Sequence, residues 1–178
     1  MTALRPRYDN VQVALHWITV ILVLFQFASS LIWEDLPRPM RRDLIWWHMS
    51  LGVSLGAVVV LRLVWRLLPG HGVAPASTGL AGLLAGAMHW GLYGLLIAQF
   101  LLGFAVIWSE GEAMMVFGIE IAPLIPKTSR AVHRLIAEVH EWTGYVLVAL
   151  AFAHGAMAVA RQVLKKDGTM ARMMPGRR

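Results

Sequence analysis

The sequence has no cysteine among its 178 residues. This absence excludes disulfides, iron–sulfur clusters, thiolate ligation of a haem and covalent haem attachment through C-x-x-C-H. A glycine-rich phosphate loop and a dinucleotide fingerprint are also absent, so nothing in the sequence supports binding of NAD, flavin or ATP. Redox chemistry would therefore need a non-covalent haem held by histidine or methionine, or a bound organic cofactor.

Charged residues are scarce, at 15% of the chain, and they cluster between long apolar runs. The hydrophobic fraction is 58% and the mean hydropathy is +0.62, values too apolar for a soluble domain of this size. The net charge of +6 and the pI near 10.5 could suggest nucleic acid, but no basic patch alternates with exposed aromatic residues. We therefore predict an integral membrane protein that does not bind nucleic acid.

Four apolar runs are each long enough to cross a bilayer as a helix. They predict spans at about 12–33, 44–68, 79–108 and 135–163, with an outer loop at 109–134 and a cytoplasmic tail at 164–178. The first run is longer than the apolar part of a signal peptide, so we interpret it as a retained span. In the outer loop, we expect the apolar stretch MMVFGIEIAPLI to cover the membrane surface as a cap. The sequence thus predicts a single all-α membrane domain, 1–178, built as a four-helix bundle.

The distribution of basic residues predicts the orientation of these spans. Ten lie on the side of the two termini and the second connection: Arg5, Arg7, Arg62, Arg66, Arg161, Lys165, Lys166, Arg172, Arg177 and Arg178. Six lie on the opposite side: Arg38, Arg41, Arg42, Lys127, Arg130 and Arg134. Because basic loops stay in the cytoplasm, we predict that both termini are cytoplasmic.

Four histidines lie inside the apolar runs, and their spacing is informative. His140 and His154 are fourteen residues apart in the fourth run, so they project from nearly the same side of a helix, about 21 Å apart along its axis. His16 matches the depth of His154, and His48 matches that of His140. A bis-imidazole haem needs two neutral imidazoles facing each other at equal depth. The pattern favours two b-type haems, one in each leaflet, over four separate hydrogen-bonded histidines.

The remaining histidines are less informative. His71, in a loop, has no evident partner, and His133 is expected to be a solvated surface residue, so we assign neither a site role. His89 lies inside the third run, where it could hydrogen-bond a haem propionate, a quinone carbonyl or another helix. The sequence from Gly52 to Gly56 matches G-x-S-x-G, but it lies in an apolar helix, which indicates a packing face rather than a nucleophile elbow.

This ordered set of motifs resembles the bacterial cytochrome b561 family, the small four-helix group related to the cytochrome b subunits of nickel–iron hydrogenases and formate dehydrogenases. The matching pieces are Ala14-Leu15-His16-Trp17, Trp47-His48 before Gly52, His89 with Tyr93, the His140 and His154 pair, and Arg172-Met173-Met174-Pro175. The resemblance covers nearly the whole chain and implies that the four paired histidines are axial ligands of two non-covalent b haems. The family often has a proline late in span three, where this chain has Phe100, so we expect a straighter third span.

Stand-alone members of this family include superoxide oxidases, which take electrons from superoxide outside and reduce ubiquinone inside. The resemblance therefore implies a superoxide:quinone oxidoreductase of the bacterial inner membrane that requires no partner subunit. Outer basic residues could focus a small anion onto the outer haem, or pair with haem propionates or lipid phosphates. The residues proposed for this steering are Arg41, Arg42, Arg130 and Arg134.

A quinone site is expected on the cytoplasmic side. A quinone carbonyl becomes negative as it is reduced, so a nearby cation stabilises the product. The candidate for this role is Arg161, two turns beyond His154, although it could instead be an interfacial anchor for lipid phosphate. Trp17, Lys165 and His89 are further candidates for contact with a quinone or a propionate.

Two other functions remain open. The chain could be the membrane anchor and electron conduit of a multisubunit dehydrogenase or hydrogenase, with the same two haems. It could also be a small-molecule transporter that holds no haem. The compact loops and the short basic tail offer no obvious docking extension, which favours the stand-alone oxidoreductase.

Overall fold

The computed structural model describes residues 7–69, 71–74, 77–166 and 168–174. Its framework is four long helices: α1 (Asn10–Ile32), α2 (Arg38–Leu67), α3 (Gly79–Ser109) and α4 (Arg130–Ala160). All four are long and apolar enough to span a membrane, as the four apolar runs predict. Helix α1 packs along α2, α2 along α3, and α3 along α4. Short 3-10 turns at Trp33–Asp35 and Met170–Met173 and a π turn at Arg161–Lys165 complete the helical part.

Two of these helices begin earlier than the apolar runs predict. Helix α2 begins at Arg38 rather than near 44, directly after Pro37, whose fixed φ suits a helix start. Helix α4 begins at Arg130 rather than 135, because the side chain of Ser129 accepts a hydrogen bond from the Val132 N–H at 3.3 Å. The outer arginines assigned to loops therefore lie on the first turns of α2 and α4.

The connection between α3 and α4, on the side that we predict to be the outer one, contains a small β-hairpin that the all-α prediction did not include. Strands β1 (Met114–Val116) and β2 (Ile119–Ile121) pair antiparallel. Phe117 and Gly118 form the turn, both with positive φ, +48° and +85°, as tight hairpins require. The Phe117 N–H donates to Ser50 Oγ at 3.0 Å, and the Phe117 ring lies 6.1 Å from that of Trp46. The apolar stretch expected to form a cap thus packs on the outer part of α2.

A carboxylate joins the start of α1 to the connection between α2 and α3. Asp9 caps α1 by accepting from the Gln12 N–H at 2.8 Å, and it also accepts from Trp65 Nε1 at 3.1 Å. His71 Nδ1 lies 3.0 Å from the same carboxylate, so the expectation that His71 has no partner is wrong. Desolvation raises the pKa of Asp9, but hydrogen bonds from Gln12, His71 and Trp65 outweigh it and leave that pKa below its usual value.

At Gly56 of α2, the ring of Phe100 from α3 lies directly against the helix backbone. A Cβ built on Gly56 would come within 2.7 Å of Phe100 Cγ and would overlap the ring edge. Helix α3 continues without interruption through Phe100. Both glycines of the G-x-S-x-G match lie within α2, in agreement with a packing face.

We predict that Gly56→Ala destabilises the bundle, because the Phe100 ring must move or α2 and α3 must separate. Overpacking of this kind costs about 1–3 kcal/mol. The matched control is Gly91→Ala on α3, where an added Cβ would meet nothing within 4 Å. Thermal unfolding in detergent, followed by circular dichroism, should show a lower Tm for the first variant and an unchanged or higher Tm for the control. Equal Tm values would contradict the packing argument.

Candidate functional site

Five of the seven histidines fall into two groups at opposite ends of the bundle. At the outer end, His48 of α2 interacts electrostatically with His140 of α4. At the inner end, His16 of α1 interacts electrostatically with His154 of α4 and His89 of α3. The structure thus brings together the pairs expected from depth and adds His89 to the inner pair.

In the outer group, His48 is held by three residues of the α1 segment. Its Nδ1 lies 3.0 Å from Ser29 Oγ, and its backbone carbonyl accepts from Gln26 Nε2 at 3.0 Å. The Trp33 ring meets the imidazole edge-on, with 5.0 Å between ring centroids. Sequence reasoning missed Ser29 and Gln26, although two polar side chains three residues apart in an apolar span are a usable signal.

The partner His140 lies against small residues of α3 and α4. A Cβ on Gly103 of α3 would lie 3.7 Å from His140 Cε1, so the backbone of α3 passes close to this imidazole. One turn beyond His140, Gly144 leaves room for Gln99 Nε2, which would lie 2.8 Å from an added Cβ. Among the residues that the structure describes, none hydrogen-bonds the buried Nδ1 of His140.

In the inner group, a basic side chain lies near the imidazoles. The rings of His89 and His154 are 5.2 Å apart, and Arg62 of α2 acts electrostatically on both and on His16. The Arg62 guanidinium lies 5.4 Å from the centroid of the Tyr93 ring, within range of a cation–π contact. The buried Nδ1 of His16 has no hydrogen-bond partner in the described part of the chain.

A narrow cleft of about 20 Å³ opens beside this inner group. It is lined by Tyr8, Gln12, Arg62, Arg66, His89, Tyr93 and Met173. Sequence reasoning counted Arg62 and Arg66 only in the charge balance and missed them as site residues. Their spacing of four residues near the end of an apolar run places both on one face of α2, which is a usable signal.

Of the predicted quinone residues, only His89 lines this cleft. Arg161 donates a hydrogen bond to Ser77 Oγ before α3, and Trp17 Nε1 donates to the Met173 carbonyl at 2.8 Å. Lys165 is exposed in the π turn. Arg161 and Trp17 thus hold the connection and the tail in place. Of the tail and terminal residues used above, Arg5, Pro175, Arg177 and Arg178 lie outside the described residues.

The outer end has a wider cavity of about 520 Å³, open to the surface. Its lining combines arginines with an apolar floor: Arg38, Arg41, Arg42, Ile45, Trp46, Met49 and Met115. Arg41 is paired with Glu34 at 2.6 Å, whereas Arg42 lies 4.0 Å from Asp43 and is 84% exposed. The other two predicted steering residues, Arg130 and Arg134, are exposed on α4 and do not line this cavity.

His133 is not the solvated surface residue that was expected. Its Nδ1 lies 2.8 Å from Ser109 Oγ, and its Nε2 lies 3.2 Å from a Glu110 carboxylate oxygen. It is only about a quarter exposed. His133 therefore ties the start of α4 to the end of α3 and stays outside the outer histidine group.

Comparison with known proteins assigns the chain to a family. The model of the prokaryotic cytochrome b561 family matches residues 7–176. The chain belongs to this family. Its members are transmembrane electron-transfer cytochromes, and membership implies a b-type haem.

Three relatives align over nearly the full length of the chain. Cytochrome b561 homolog 2 of Escherichia coli (strain K12) is 30% identical over 175 residues, 94% of this chain and 91% of the relative. Probable superoxide oxidase CybB of Yersinia pestis is 25% identical over 182 residues, 98% of this chain and 99% of the relative. Cytochrome b561 homolog 1 of Escherichia coli (strain K12) is 28% identical over 178 residues, 97% and 99% respectively.

The histidine groups fit the b-type haem that the family implies. Each group offers imidazoles from two helices, and imidazole is a usual axial ligand of haem iron. The rings of His16 and His140 lie inside the bundle although their buried Nδ1 atoms have no hydrogen-bond partner among the described residues, so the polypeptide alone does not account for these two polar groups. The glycine at 103 keeps side-chain bulk away from His140, as a flat macrocycle requires.

Proposed function

We propose that this chain is a di-haem b cytochrome of the bacterial inner membrane that oxidises superoxide on the periplasmic side and reduces ubiquinone on the cytoplasmic side. The observation that carries the proposal is the pair of histidine groups at opposite ends of one bundle. Each contains one histidine of α4, His140 or His154, near a histidine of another helix. The name of the Yersinia pestis relative supports the choice of superoxide.

We assign one pair of histidines to each proposed haem. His48 and His140 would hold the outer haem, and His16 and His154 would hold the inner one. Bound haem supplies one-electron chemistry between ferric and ferrous iron. The protein contributes the fixed depth of each pair, because both α4 histidines lie on one continuous helix.

We predict two b haems per chain, with each pair holding one. His48→Ala or His140→Ala should remove only the outer haem, and His16→Ala or His154→Ala only the inner one. His133→Ala, outside both groups, is the control and should keep two. A pyridine haemochrome assay measures the stoichiometry. One haem or none in the wild-type protein would refute the two axial pairs.

The inner cleft is the quinone site that we propose. Reducing ubiquinone takes two electrons from two superoxide anions and two protons from the cytoplasm, and it releases two molecules of dioxygen and one ubiquinol. The carbonyl oxygen that becomes negative would be stabilised by Arg62 and Arg66, with His89 in reach of the same cleft. Because the cleft is narrow, a quinone ring can enter only if it widens.

We predict that Arg66→Gln slows ubiquinone reduction by about tenfold or more, the usual effect of losing a hydrogen bond to a developing charge. Both haems should stay bound. Arg161→Gln is the matched control, since Arg161 bonds Ser77 beyond the cleft. Stopped-flow mixing of the pre-reduced protein with a short-chain ubiquinone gives the rates. If Arg161→Gln slows the reaction and Arg66→Gln does not, the quinone site lies at the end of α4 instead.

The outer cavity offers an access route for superoxide. Superoxide is a small anion, and arginines around a concave surface concentrate anions there. Met49, on the cavity floor, follows the candidate ligand His48 directly in sequence. Glu34 partly neutralises Arg41, so Arg38 and Arg42 carry most of the proposed steering. Arg130 and Arg134 add positive charge at the same end of the bundle.

We predict that reduction of the haems by superoxide slows as ionic strength rises, because the Debye length falls from about 30 Å at 0.01 M to about 8 Å at 0.15 M. Arg38→Gln with Arg42→Gln should lower the second-order rate constant by about tenfold at low salt. Arg130→Gln with Arg134→Gln should have a smaller effect, and Lys166→Gln at the cytoplasmic end should have almost none.

Pulse radiolysis or stopped-flow mixing with superoxide measures these rate constants. Equal rate constants in all variants would show that these arginines do not guide superoxide to the haem. If superoxide reduces neither haem while quinol does, superoxide is not the donor, and the chain instead serves as the membrane anchor of a larger dehydrogenase or hydrogenase.

A further inference from the structure

We infer that Ser29 is a positioning residue for His48, fixing its tautomer and lowering the reduction potential of the outer haem. The inference rests on the proposed function, because it takes His48 as an axial ligand. It is carried by a hydrogen-bond chain that runs from the α1 backbone through Ser29 to the imidazole.

This hydrogen-bond chain determines which atom donates at each step. Ser29 is almost fully buried, with 3% of its surface exposed, and its hydroxyl donates to the Gln26 carbonyl at 2.9 Å. A serine hydroxyl has one hydrogen. Toward His48 Nδ1, 3.0 Å away, Ser29 Oγ can therefore only accept. The hydrogen must reside on Nδ1 of His48.

A neutral imidazole with its hydrogen on Nδ1 carries its free lone pair on Nε2. Ser29 thereby selects Nε2 of His48 as the nitrogen available to iron. Two further contacts restrain the ring. Gln26 Nε2 bonds the His48 carbonyl at 3.0 Å, and the Trp33 ring packs edge-on against the imidazole at 5.0 Å. These contacts together fix the orientation of the imidazole.

The same support is missing at two other candidate ligands. The buried Nδ1 atoms of His16 and His140 have no hydrogen-bond partner among residues 7–69, 71–74, 77–166 and 168–174. Removing the Ser29 hydroxyl should therefore affect one haem and leave the other unchanged. This asymmetry separates a positioning role from a general effect on stability.

The sign of the effect follows from the hydrogen bond. An acceptor on Nδ1–H makes the imidazole a stronger electron donor to the metal, and stronger donation favours ferric over ferrous iron. Ser29→Ala removes the acceptor, so the reduction potential of the outer haem should rise. Ser29→Thr keeps a hydroxyl that can bond a carbonyl three or four residues back, so it should restore the wild-type potential.

The adjacent serine provides a matched control. Ser30 also donates to a carbonyl three residues back, the Phe27 carbonyl at 2.8 Å, and it takes the same substitution at the neighbouring position on α1. The experiment is a spectroscopic redox titration of purified protein containing both haems, with electron paramagnetic resonance of the ferric state. His48→Ala identifies which signal belongs to the outer haem.

Support requires that Ser29→Ala raises one midpoint potential and moves the low-field resonance of the same haem, while Ser30→Ala and Ser29→Thr match the wild type. If Ser29→Ala loses the outer haem and Ser29→Thr retains it, the hydroxyl requirement is also supported. Unchanged potentials in Ser29→Ala, equal shifts in both haems or a shift in Ser30→Ala would each overturn the inference. A wild-type protein without haem would instead overturn the proposed function.

Discussion

Inside a bilayer, a polar side chain has no water to bond, so its partner must come from the protein or from a bound group. Three serines of α1 and α2 meet that constraint through the backbone. The hydroxyls of Ser29, Ser30 and Ser54 donate hydrogen bonds to backbone carbonyls three or four residues earlier. Histidines cannot satisfy both ring nitrogens in this way. The Nδ1 atoms of His16 and His140 lie buried without a hydrogen-bond partner in the described part of the chain, so the polypeptide alone does not account for these two rings.

The same constraint shapes the ends of the bundle, where polar groups are paired rather than left to the interface. Where α1 begins, the Asp9 carboxylate is hydrogen-bonded to Gln12, Trp65 and His71. His133 bridges the end of α3 to the start of α4. Both clusters join segments that are distant in sequence. They hold the helix ends to neighbouring segments. The core inside the bundle is correspondingly small, and the large apolar side chains point outward.

The sequence predicts what depends on local pattern. Apolar length gives four spans, and the fourteen residues between His140 and His154 give two depths on one helix. The predicted helix ends were less accurate than the predicted spans. Hydropathy does not decide where α2 and α4 begin, because Pro37 starts the first and the Ser129 cap starts the second. The hairpin was missed because it depends on Phe117 adopting a positive φ, which a non-glycine residue rarely does. The inner cleft was missed because it is assembled from α1, α2, α3 and the tail.

The geometry of the candidate site depends on two rigid relations. Helix α4 is continuous from Arg130 to Ala160, and the π turn begins only at Arg161, so the rise between its two histidines is fixed at about 21 Å. The opposing histidines lie on α1 and α2. The position of α1 along α2 is fixed by Gln26 of α1, whose Nε2 donates to the His48 carbonyl. The same Nε2 would lie 3.4 Å from a Cβ added to Gly52 of α2. A slip of α1 along α2 would misalign His16 with His154 while leaving His48 in place. The contact at Gln26 therefore sets the register of the inner pair from the outer end of the bundle.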